Sequence, residues 1–582
     1  MKTLIPLLVL TFGLYGSIQA QEKETEPAAP ALPDIAPREV EIRGQLTISF
    51  PSLERQPLIG FNPPPRIYRI PPDRIPIIHP YRQPLASLPH SSLRKPSTPA
   101  TQASLPMTPK HSYLRLAAGR YLSRDVQFLY EQPLGKQVAF ITELTYTGSN
   151  GHRPFADSTL AQWRRVRAPY DSFDGRTGFR YHRGSTALEI TLSGLSRKYP
   201  VWGTLPDTSG AQPQRNGYSL KPEVRFKTQW STYLHLNASI ALSVSKYTTD
   251  VPHVPPSPAL RYTENLAEAS LHMRIPLLHT AIEAYGGTGT INRSAWFGRD
   301  YQAGHLQLAT TPTRVRNLQA TAGAALLYTS GTSGRRYAYL TPTFQLTYAL
   351  THTLQLLVQQ HPEVQLQSLP ALLEINPYTL LRTTSPDAPV FDPTLYVWDA
   401  SAGIQWQRGG FRLQVMTGFK QSPNWPIWQV TQLPGFFTMR PYRARLTFLK
   451  IAGALVTARR LKTYAQLQIQ TGRVQATQTL PEGSVIPYLA PVSFTLESEI
   501  PLWSGKGILA LETQLLSRRP TTFANDTFLP ATGLLNTSLS YYITSRWGLR
   551  LQAQNVTPGQ LLWWQGYPEA TNILKLGAFL NW

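Results

Sequence analysis

Cysteine is absent from the 582-residue chain. Its absence excludes disulfide bonds, thiolate metal sites and a lipid anchor on an N-terminal cysteine. Charged residues make up only 15% of the chain, against about a quarter in a typical soluble domain. Beyond the N-terminus there is also no apolar run of about 18 residues, so the sequence predicts no membrane-spanning helix.

Residues 1–20, MKTLIPLLVLTFGLYGSIQA, carry a lysine near the start and an apolar core from Leu4 to Leu14. Small or neutral residues follow as far as Ala20. This pattern is typical of a secretory signal peptide cleaved near Ala20. We therefore predict that the mature chain is exported.

Residues 21–110 contain 19 of the 52 prolines but only 2 of the 38 glycines. Proline lacks the N–H that a β-ladder needs and favours extended polyproline geometry. The segment is therefore predicted to be a proline-rich periplasmic arm rather than a compact domain. Its short stretch VEIRGQLTISF (40–50) alternates apolar and polar residues, which suits it to pair with a partner protein or to fold back onto the chain.

From residue 111 onward, apolar and polar residues alternate in segments of about ten. The clearest example is LYVWDASAGIQWQRGGFRLQVMTGFK (395–420). In it Trp398, Ile404 and Trp406 fall on one face, whereas Asp399 and Gln405 fall on the other. This period of two on both sides of the RGG turn predicts a β-hairpin.

Short turns alternate with long connections throughout residues 111–582. One-sided apolar strands joined in this way are typical of outer-membrane β-barrels, whereas the turns of a soluble β-sandwich would not sort by length. Strand starts are predicted near residues 112, 125, 137, 171, 186, 216, 233, 260, 279, 302, 318, 337, 354, 394, 411, 440, 461, 490, 507, 532, 547 and 572. The predicted fold class is therefore an all-β transmembrane antiparallel barrel of about 22 strands. The predicted strand count carries a margin of two, because the stretch 290–318 alternates poorly.

Tryptophans cluster near the predicted short turns and at the C-terminus. Tryptophan prefers membrane interfaces, because its ring is apolar and its N–H needs a polar partner. We predict an aromatic girdle on the periplasmic side, formed by Trp230, Trp406, Trp503, Trp547 and Trp582.

Basic residues exceed acidic ones by 56 to 33. Several basic residues fall on the strand face predicted to line the lumen, and these are Arg115, Arg225, Lys227, Arg412, Arg443, Arg445 and Arg550. A basic lumen would favour anionic solutes. Two alternatives remain: the arginines pair with wall carboxylates such as Glu131, Glu189 and Asp399, or they face lipopolysaccharide phosphates outside. Nucleic-acid binding is not predicted, because the charge follows no recognisable motif.

The sequence gives little support for catalysis. The 12 histidines lack H-x-x-x-H spacing, GGTGT at Gly286 is not a P-loop, and SGTSG near Gly331 lacks the context of a nucleophile elbow. A lipid hydrolase using His235 and a serine of a neighbouring strand is the alternative, but chance placement explains such a pair better. We predict no enzyme activity, no catalytic or metal-binding residue and no cofactor.

The C-terminal segment LRLQAQNVTPGQLLWWQGYPEATNILKLGAFLNW resembles the last hairpin of TonB-dependent outer-membrane receptors. The matching positions are Asn555, Gly566, Tyr567, Pro568, Gly577 and the terminal aromatic residue. The chain departs from the family pattern at Ala570 and Thr571, where Gly-Arg is usual. The resemblance implies a barrel of 22 strands in the outer membrane.

A second resemblance is carried by AAGRYLSRDVQFLYEQPLGKQVAFITELTYTGSNG, LEINPYTL and YVWDASAGIQWQRGGFRLQVMTGF. These segments resemble a group of TonB-dependent-receptor-like barrels that have no plug. Receptors with a plug carry a globular domain of well over 100 residues before the barrel, where this chain has the proline-rich arm. A lumen of 22 strands would then be closed by folded-in loops, by the arm, by a partner chain, or left open.

These observations predict an outer-membrane channel or transporter-like barrel that lacks a plug and passes or binds anionic solutes. The alternative is a non-conducting scaffold, or a subunit of an envelope complex, that recruits a periplasmic or surface partner through the arm. The predicted partners are outer-membrane lipid, lipopolysaccharide and the barrel-assembly machinery, which would bind the C-terminal strand.

Overall fold

A computed structural model describes residues 112–582 apart from 158–161, 202–213, 231–233, 250–259, 294–295, 381–391, 432–435, 458–460, 477–479, 482 and 558–560. The predicted signal peptide (1–20) and arm (21–110) lie outside these residues. No helix in the described part of the chain is long and apolar enough to cross a membrane.

The described chain forms a closed barrel of 22 antiparallel strands, which confirms the predicted fold class. Each strand pairs with the next barrel strand along the chain, and the last pairs with the first. The strands are β1 Ser112–Gly119, β2 Ser123–Pro133, β3 Val138–Ser149, β4 Tyr170–Arg183, β5 Thr186–Pro200, β6 Gln214–Trp230, β7 Leu234–Thr249, β8 Leu260–Ile275, β9 Thr280–Arg293, β10 Trp296–Thr310, β11 Leu318–Ser330, β12 Arg336–Ala349, β13 Leu354–Gln360, β14 Trp398–Arg408, β15 Phe411–Val430, β16 Phe437–Val456, β17 Lys462–Val474, β18 Val492–Leu502, β19 Gly507–Leu516, β20 Thr532–Tyr542, β21 Trp547–Val556 and β22 Ile573–Asn581.

The barrel closes at a seam between β1 and β22. Along this seam Ala117 lies opposite Gly577, and the backbones of Ser112 and Trp582 exchange two hydrogen bonds of 3.2 Å. Closure gives every barrel strand a neighbour on both sides, which a chain within lipid requires because no water is present to satisfy free N–H and C=O groups.

Alternation along each strand separates a lipid face from a lumen face. On β21, Leu549 and Leu551 are 47% and 44% exposed, whereas Arg550 and Gln552 between them are buried. Exposed leucine, isoleucine, valine and aromatic side chains recur on the outward face around the barrel, for example Ile240 on β7. An apolar band outside and a polar wall inside are the architecture of an outer-membrane β-barrel.

The stretch 290–318, which was poorly patterned in the sequence, contains the end of β9 and then one interrupted strand. β10 begins at Trp296 rather than near 302, and Thr313–Val315 continues along the same neighbour, β11. Pro312 lies in the interruption, where its missing N–H removes a ladder hydrogen bond. Because the two pieces share one neighbour, they count as one strand and the total stays at 22.

The longest connection within the barrel, residues 361–397, is called here the long loop. Its two legs, Glu363–Gln365 and Thr394–Tyr396, pair as a short antiparallel ladder. Between them lies helix α1, Leu369–Ile375, which is capped at its start by the Ser368 hydroxyl accepting from the N–H of Ala371. Residues 376–380 follow α1 and are called the tail of the long loop.

A buried apolar cluster crosses the lumen on the long-loop side. It joins inward side chains of β7 to β10, through α1, to β15, β16, β19, β20 and the outer loops. Its members include Tyr262, Leu266, Ile291, Tyr301, Leu369, Leu372, Leu373, Ile375, Tyr378, Trp428, Phe437, Tyr488, Leu534, Trp563, Trp564 and Tyr567. Strands β8 and β19 are eleven strands apart in a ring of 22, so the cluster joins opposite walls.

Candidate functional site

Arg215, on the lumen face of β6, holds the tail of the long loop. Its side chain is fully buried, and its two terminal nitrogens donate to the carbonyls of Pro377 at 2.6 Å and Thr379 at 2.8 Å. The Nε of Arg215 donates to the hydroxyl of Thr249 on β7 at 2.8 Å. A buried guanidinium is costly unless hydrogen-bonded, so these three bonds tie the wall and the tail together.

Glu264, on β8, holds the start of α1. Its carboxylate accepts from the backbone N–H of Leu369 at 2.8 Å and from the Tyr301 hydroxyl of β10 at 2.7 Å. Glu264 is buried in the described structure, and its charge is balanced by these donors rather than by an ion pair. The first turn of α1 is thereby fixed to one wall.

The tail reaches the opposite wall through β16. Thr379 bridges Phe437 in a parallel pairing, and the N–H of Leu380 donates to the Phe437 carbonyl at 2.7 Å. The ring of Tyr378 stacks on Tyr567 of the last long loop, with centroids 3.4 Å apart. The long loop therefore spans the lumen from β6 and β8 to β16.

A buried ion pair between two barrel strands lies beside the returning leg of the long loop. Lys420 of β15 lies 3.0 Å from Asp399 of β14, and both side chains are almost fully buried. The same ammonium sits 4.6 Å from the ring centroid of Tyr396, the last residue of the leg. Removing one partner would leave an unpaired buried charge, so the pair holds β14 and β15 together next to this end of the loop.

The outer part of the long loop contacts the turn between β11 and β12. Asp392 accepts from the backbone N–H of Ser333 at 3.1 Å and from its hydroxyl at 2.5 Å. Burial raises the pKa of Asp392, and the two Ser333 hydrogen bonds oppose that rise only in part. The contact lies beyond the barrel strands.

Basic side chains gather on the lumen face of the seam. Arg115 lies 2.7 Å and Lys575 3.6 Å from the two oxygens of Asp125, and all three side chains are almost fully buried. Arg550 of β21 donates to the Ser538 hydroxyl at 2.9 Å. The seam thus holds three cationic side chains around one carboxylate.

Other predicted lumen residues lie apart from the seam. Arg225 is on the lumen face of β6 and lies 2.6 Å from Glu223, while Lys227 follows on the same face nearer the short turn. Arg412 of β15 donates to Gln405 of β14 at 2.6 Å. Of the seven predicted basic residues, only Arg115 and Arg550 lie at the seam.

Wall carboxylates account for part of the basic charge. Glu131 lies 3.7 Å from Arg180, and Glu189 pairs with Arg176. Together with Asp399, these are the three acidic residues that the sequence offered as partners, although their cations are not the predicted ones. Much of the lumen charge is therefore neutralised across neighbouring strands.

Arg443 and Arg445 lie on the outward face of β16, which differs from the predicted lumen orientation. They share this face with Leu449, whereas Lys450 on the other face is buried toward the lumen. The guanidinium of Arg445 lies 5.0 Å from the ring centroid of Phe419, an outward residue of β15. Near the end of a long strand, an outward arginine reaches beyond the apolar band, so charge alone does not identify the lumen face.

The five girdle tryptophans lie at the short-turn rim or beside the C-terminus. All are exposed, from 36% for Trp406 to 73% for Trp230. The ring of Trp406 packs edge-on against Phe411, and that of Trp503 against Tyr541. Exposed rings at one rim suit a membrane interface, and the girdle function itself stays a prediction.

A polar recess opens at the short-turn rim, below the apolar cluster. Its volume is about 470 Å³, and it is lined by His352, Thr353, Gln355, Gln405, Gln407, Arg408 and Gly409. Three of the seven lining residues are glutamines, which suits polar solutes. Within the described residues, no group of three or more histidine, aspartate or glutamate side chains is placed to hold a metal ion.

Sequence reasoning did not identify Arg215, Glu264 or Phe437 as site residues. Each occupies an ordinary position in an alternating strand, and its role depends on a loop more than 50 residues away along the chain. The one available signal was the segment LEINPYTL (373–380), which ends α1 and forms the tail.

No protein-family model and no curated protein matches the chain. Among solved structures, the FrpB iron transporter from Neisseria meningitidis is 8% identical, with a TM-score of 0.63 and 82% of each chain covered. BauA, the ferric preacinetobactin receptor from Acinetobacter baumannii, is 10% identical, with a TM-score of 0.60 over 82% of this chain and 80% of that one. Fiu, the ferric-catecholate import receptor from E. coli K12, is 12% identical, with a TM-score of 0.56 and 82% of each chain covered. Such identities establish a shared fold alone, that of the 22-stranded receptor barrel.

Proposed function

We propose that this chain is an outer-membrane transport barrel whose passage is closed by its own long loop. The observation that carries the proposal is the apolar cluster joining opposite walls through α1 and the tail. In this proposal the closed form is the one described, and transport requires the tail to leave the lumen.

Two buried polar anchors define how the closure is held. Arg215 binds the tail through two carbonyls, and Glu264 binds the first turn of α1. The returning leg is contacted separately by Lys420, whose ion pair with Asp399 joins β14 and β15. Movement is therefore proposed to take place in α1 and the tail, with the paired legs acting as the fixed base.

Passage is proposed to be passive. The segment before the barrel, residues 21–110, has 19 prolines and 2 glycines. That composition differs from the glycine-rich turns of a globular plug and favours an extended arm. Closure by a loop of the barrel replaces the plug in this proposal.

The solutes are proposed to be small and polar, with anions favoured along the seam. The support is the excess of Arg115, Lys575 and Arg550 over Asp125 in a buried strip of wall. In a potassium chloride gradient, the reversal potential of the open form should shift toward the equilibrium potential of chloride. A reversal potential at the equilibrium potential of potassium would contradict anion preference without contradicting loop closure.

Planar-bilayer recording of the purified full chain tests the closure. Arg215→Ala removes the hydrogen bonds to the tail, so the frequency of open-channel steps should rise at least tenfold. Arg225→Ala is the matched control, because it removes the same charge from the same strand face without touching the long loop. The control should open as rarely as the unmodified chain.

A reversible disulfide that holds the tail of the long loop against β16 tests the closure in the opposite direction. Thr379→Cys with Phe437→Cys places two cysteines at bridge partners, a separation suited to a disulfide, in a chain that has no other cysteine. Openings of the Arg215→Ala protein should disappear on oxidation and return on reduction. If no variant conducts under any condition, the non-conducting scaffold is the correct reading.

A further inference from the structure

Two arginines face each other on the lipid side of the barrel. Arg445 of β16 and Arg473 of β17 are direct cross-strand partners, and both side chains are exposed. Their face is the outward one, since Ile469 on the same side of β17 is 45% exposed while the adjacent Gln468 and Gln470 are buried toward the lumen. Like charges directly opposite each other destabilise a sheet.

Further basic and aromatic groups adjoin this pair. Arg443 lies two residues from Arg445 on the same face and is also exposed. The Phe419 ring lies under the Arg445 guanidinium, and the Trp398 ring lies 6.5 Å from Phe419. No ion pair within the described part of the chain involves any of the three guanidinium groups. We call Arg443, Arg445, Arg473, Phe419 and Trp398 the outer basic patch.

The patch lies at the level of the outer membrane interface. Arg445 is 11 positions from Val456, the short-turn end of β16. At a rise of about 3.3 Å per residue and a tilt of about 40°, this puts it about 28 Å from that rim, just above an apolar band of about 25 Å. Leu449 and Ile451 occupy the band below it. The arginines therefore stand where lipid headgroups begin.

From this geometry we infer that the outer basic patch binds the phosphorylated headgroup of an outer-leaflet glycolipid. Three exposed guanidinium groups that have no carboxylate partner among the described residues offer paired N–H donors, the arrangement that recognises phosphate oxygens in a bidentate manner. A bound phosphate group would remove the repulsion between Arg445 and Arg473. Trp398 and Phe419 beside them provide the amphipathic and apolar surface expected next to sugar and acyl chain.

The test is lipid binding by the full chain in detergent, measured by native mass spectrometry. The probes are lipid A carrying two phosphates and the same lipid with both phosphates removed. The unmodified chain should bind the phosphorylated form at least tenfold more tightly. Arg445→Gln with Arg473→Gln should abolish that preference, whereas Arg412→Gln, on the lumen face of neighbouring β15, should preserve it.

The lipid-binding test needs a control for folding of the variants. Heat-dependent migration on a gel reports whether each variant forms the barrel, and the single variant Arg445→Gln carries the test if the double variant does not fold. Equal binding of both lipids by the unmodified chain, or unchanged preference in the variants, overturns the inference. Inorganic phosphate that displaces phosphorylated lipid A at comparable concentration also overturns it, because the patch would then be a site for free phosphate.

Discussion

Two buried charges in this protein connect the long loop to the wall. Arg215 and Glu264 each form hydrogen bonds with backbone groups of the long loop, so displacing the loop would remove part of their hydrogen bonding. Since an unsatisfied buried charge is costly, the docked arrangement is favoured over partial displacement of the loop.

At the residue scale, Asp392 makes the long-loop contact sensitive to pH. Burial raises its pKa above the ordinary 3.8. A raised pKa means that docking takes up a proton, so the contribution of this group is fully present below about pH 3.8 and is lost as pH rises through the raised pKa. Loop docking should therefore weaken as pH rises above about 4.

The measurement is the fluorescence anisotropy of a dye on Glu374→Cys, an exposed position of α1 in the long loop, in a chain with no other cysteine. Anisotropy should fall as pH rises. In Asp392→Asn, which keeps an oxygen acceptor for Ser333 but does not titrate, the curve should be flat. A pH dependence retained by this variant would assign the effect to another group.

The orientation of Arg443 and Arg445 shows what a residue-level pattern cannot decide. Alternation separates the two faces of β16. It does not identify the lumen face in the part of the strand that extends beyond the apolar band, because charged residues can lie on either face there. Arg115 and Arg550 lie between lipid-facing leucines, such as Leu116 and Leu549, and for them the same rule gives the lumen face seen in the structure.

At the scale of elements, strand positions follow closely from the period of two. Predicted starts such as 112, 186, 260, 318 and 354 coincide with the starts of β1, β5, β8, β11 and β13. The docking of α1 could not be predicted in this way, because seven residues with four buried apolar side chains give no information about which distant wall they contact.

The seam between β1 and β22 depends on close backbone approach at Gly119. A Cβ atom at this position would lie 1.9 Å from the carbonyl oxygen of Leu574. Gly119→Ala should therefore push the strands apart and lower the temperature at which the folded band is lost on a gel. Gly304→Ala is the matched control, since a Cβ atom there meets nothing within 4 Å. An equal effect of both changes would contradict the packing argument.

At the scale of the whole molecule, added charge should destabilise the barrel much more on the lipid side of the wall than on the lumen side. Ile240 of β7 is 62% exposed on the outward face, and its neighbour Ser239 faces the lumen and bonds Ser270. Ile240→Arg places a charge in lipid and should destabilise the barrel by about 2–4 kcal/mol, whereas Ser239→Arg should have a much smaller effect. Urea titration in lipid vesicles, followed by tryptophan fluorescence, measures both. Equal losses would contradict the assignment of faces.

The meeting of Ser112 and Trp582 has a consequence for how the barrel is made. Because these residues lie side by side, a short linker can join them, and new ends can be opened at the Gly409 turn between β14 and β15. Such a circular permutant keeps every strand pair but changes which strand leaves the ribosome last. Its insertion yield, compared with that of the parent barrel, would separate the effect of the final topology from the effect of translation order.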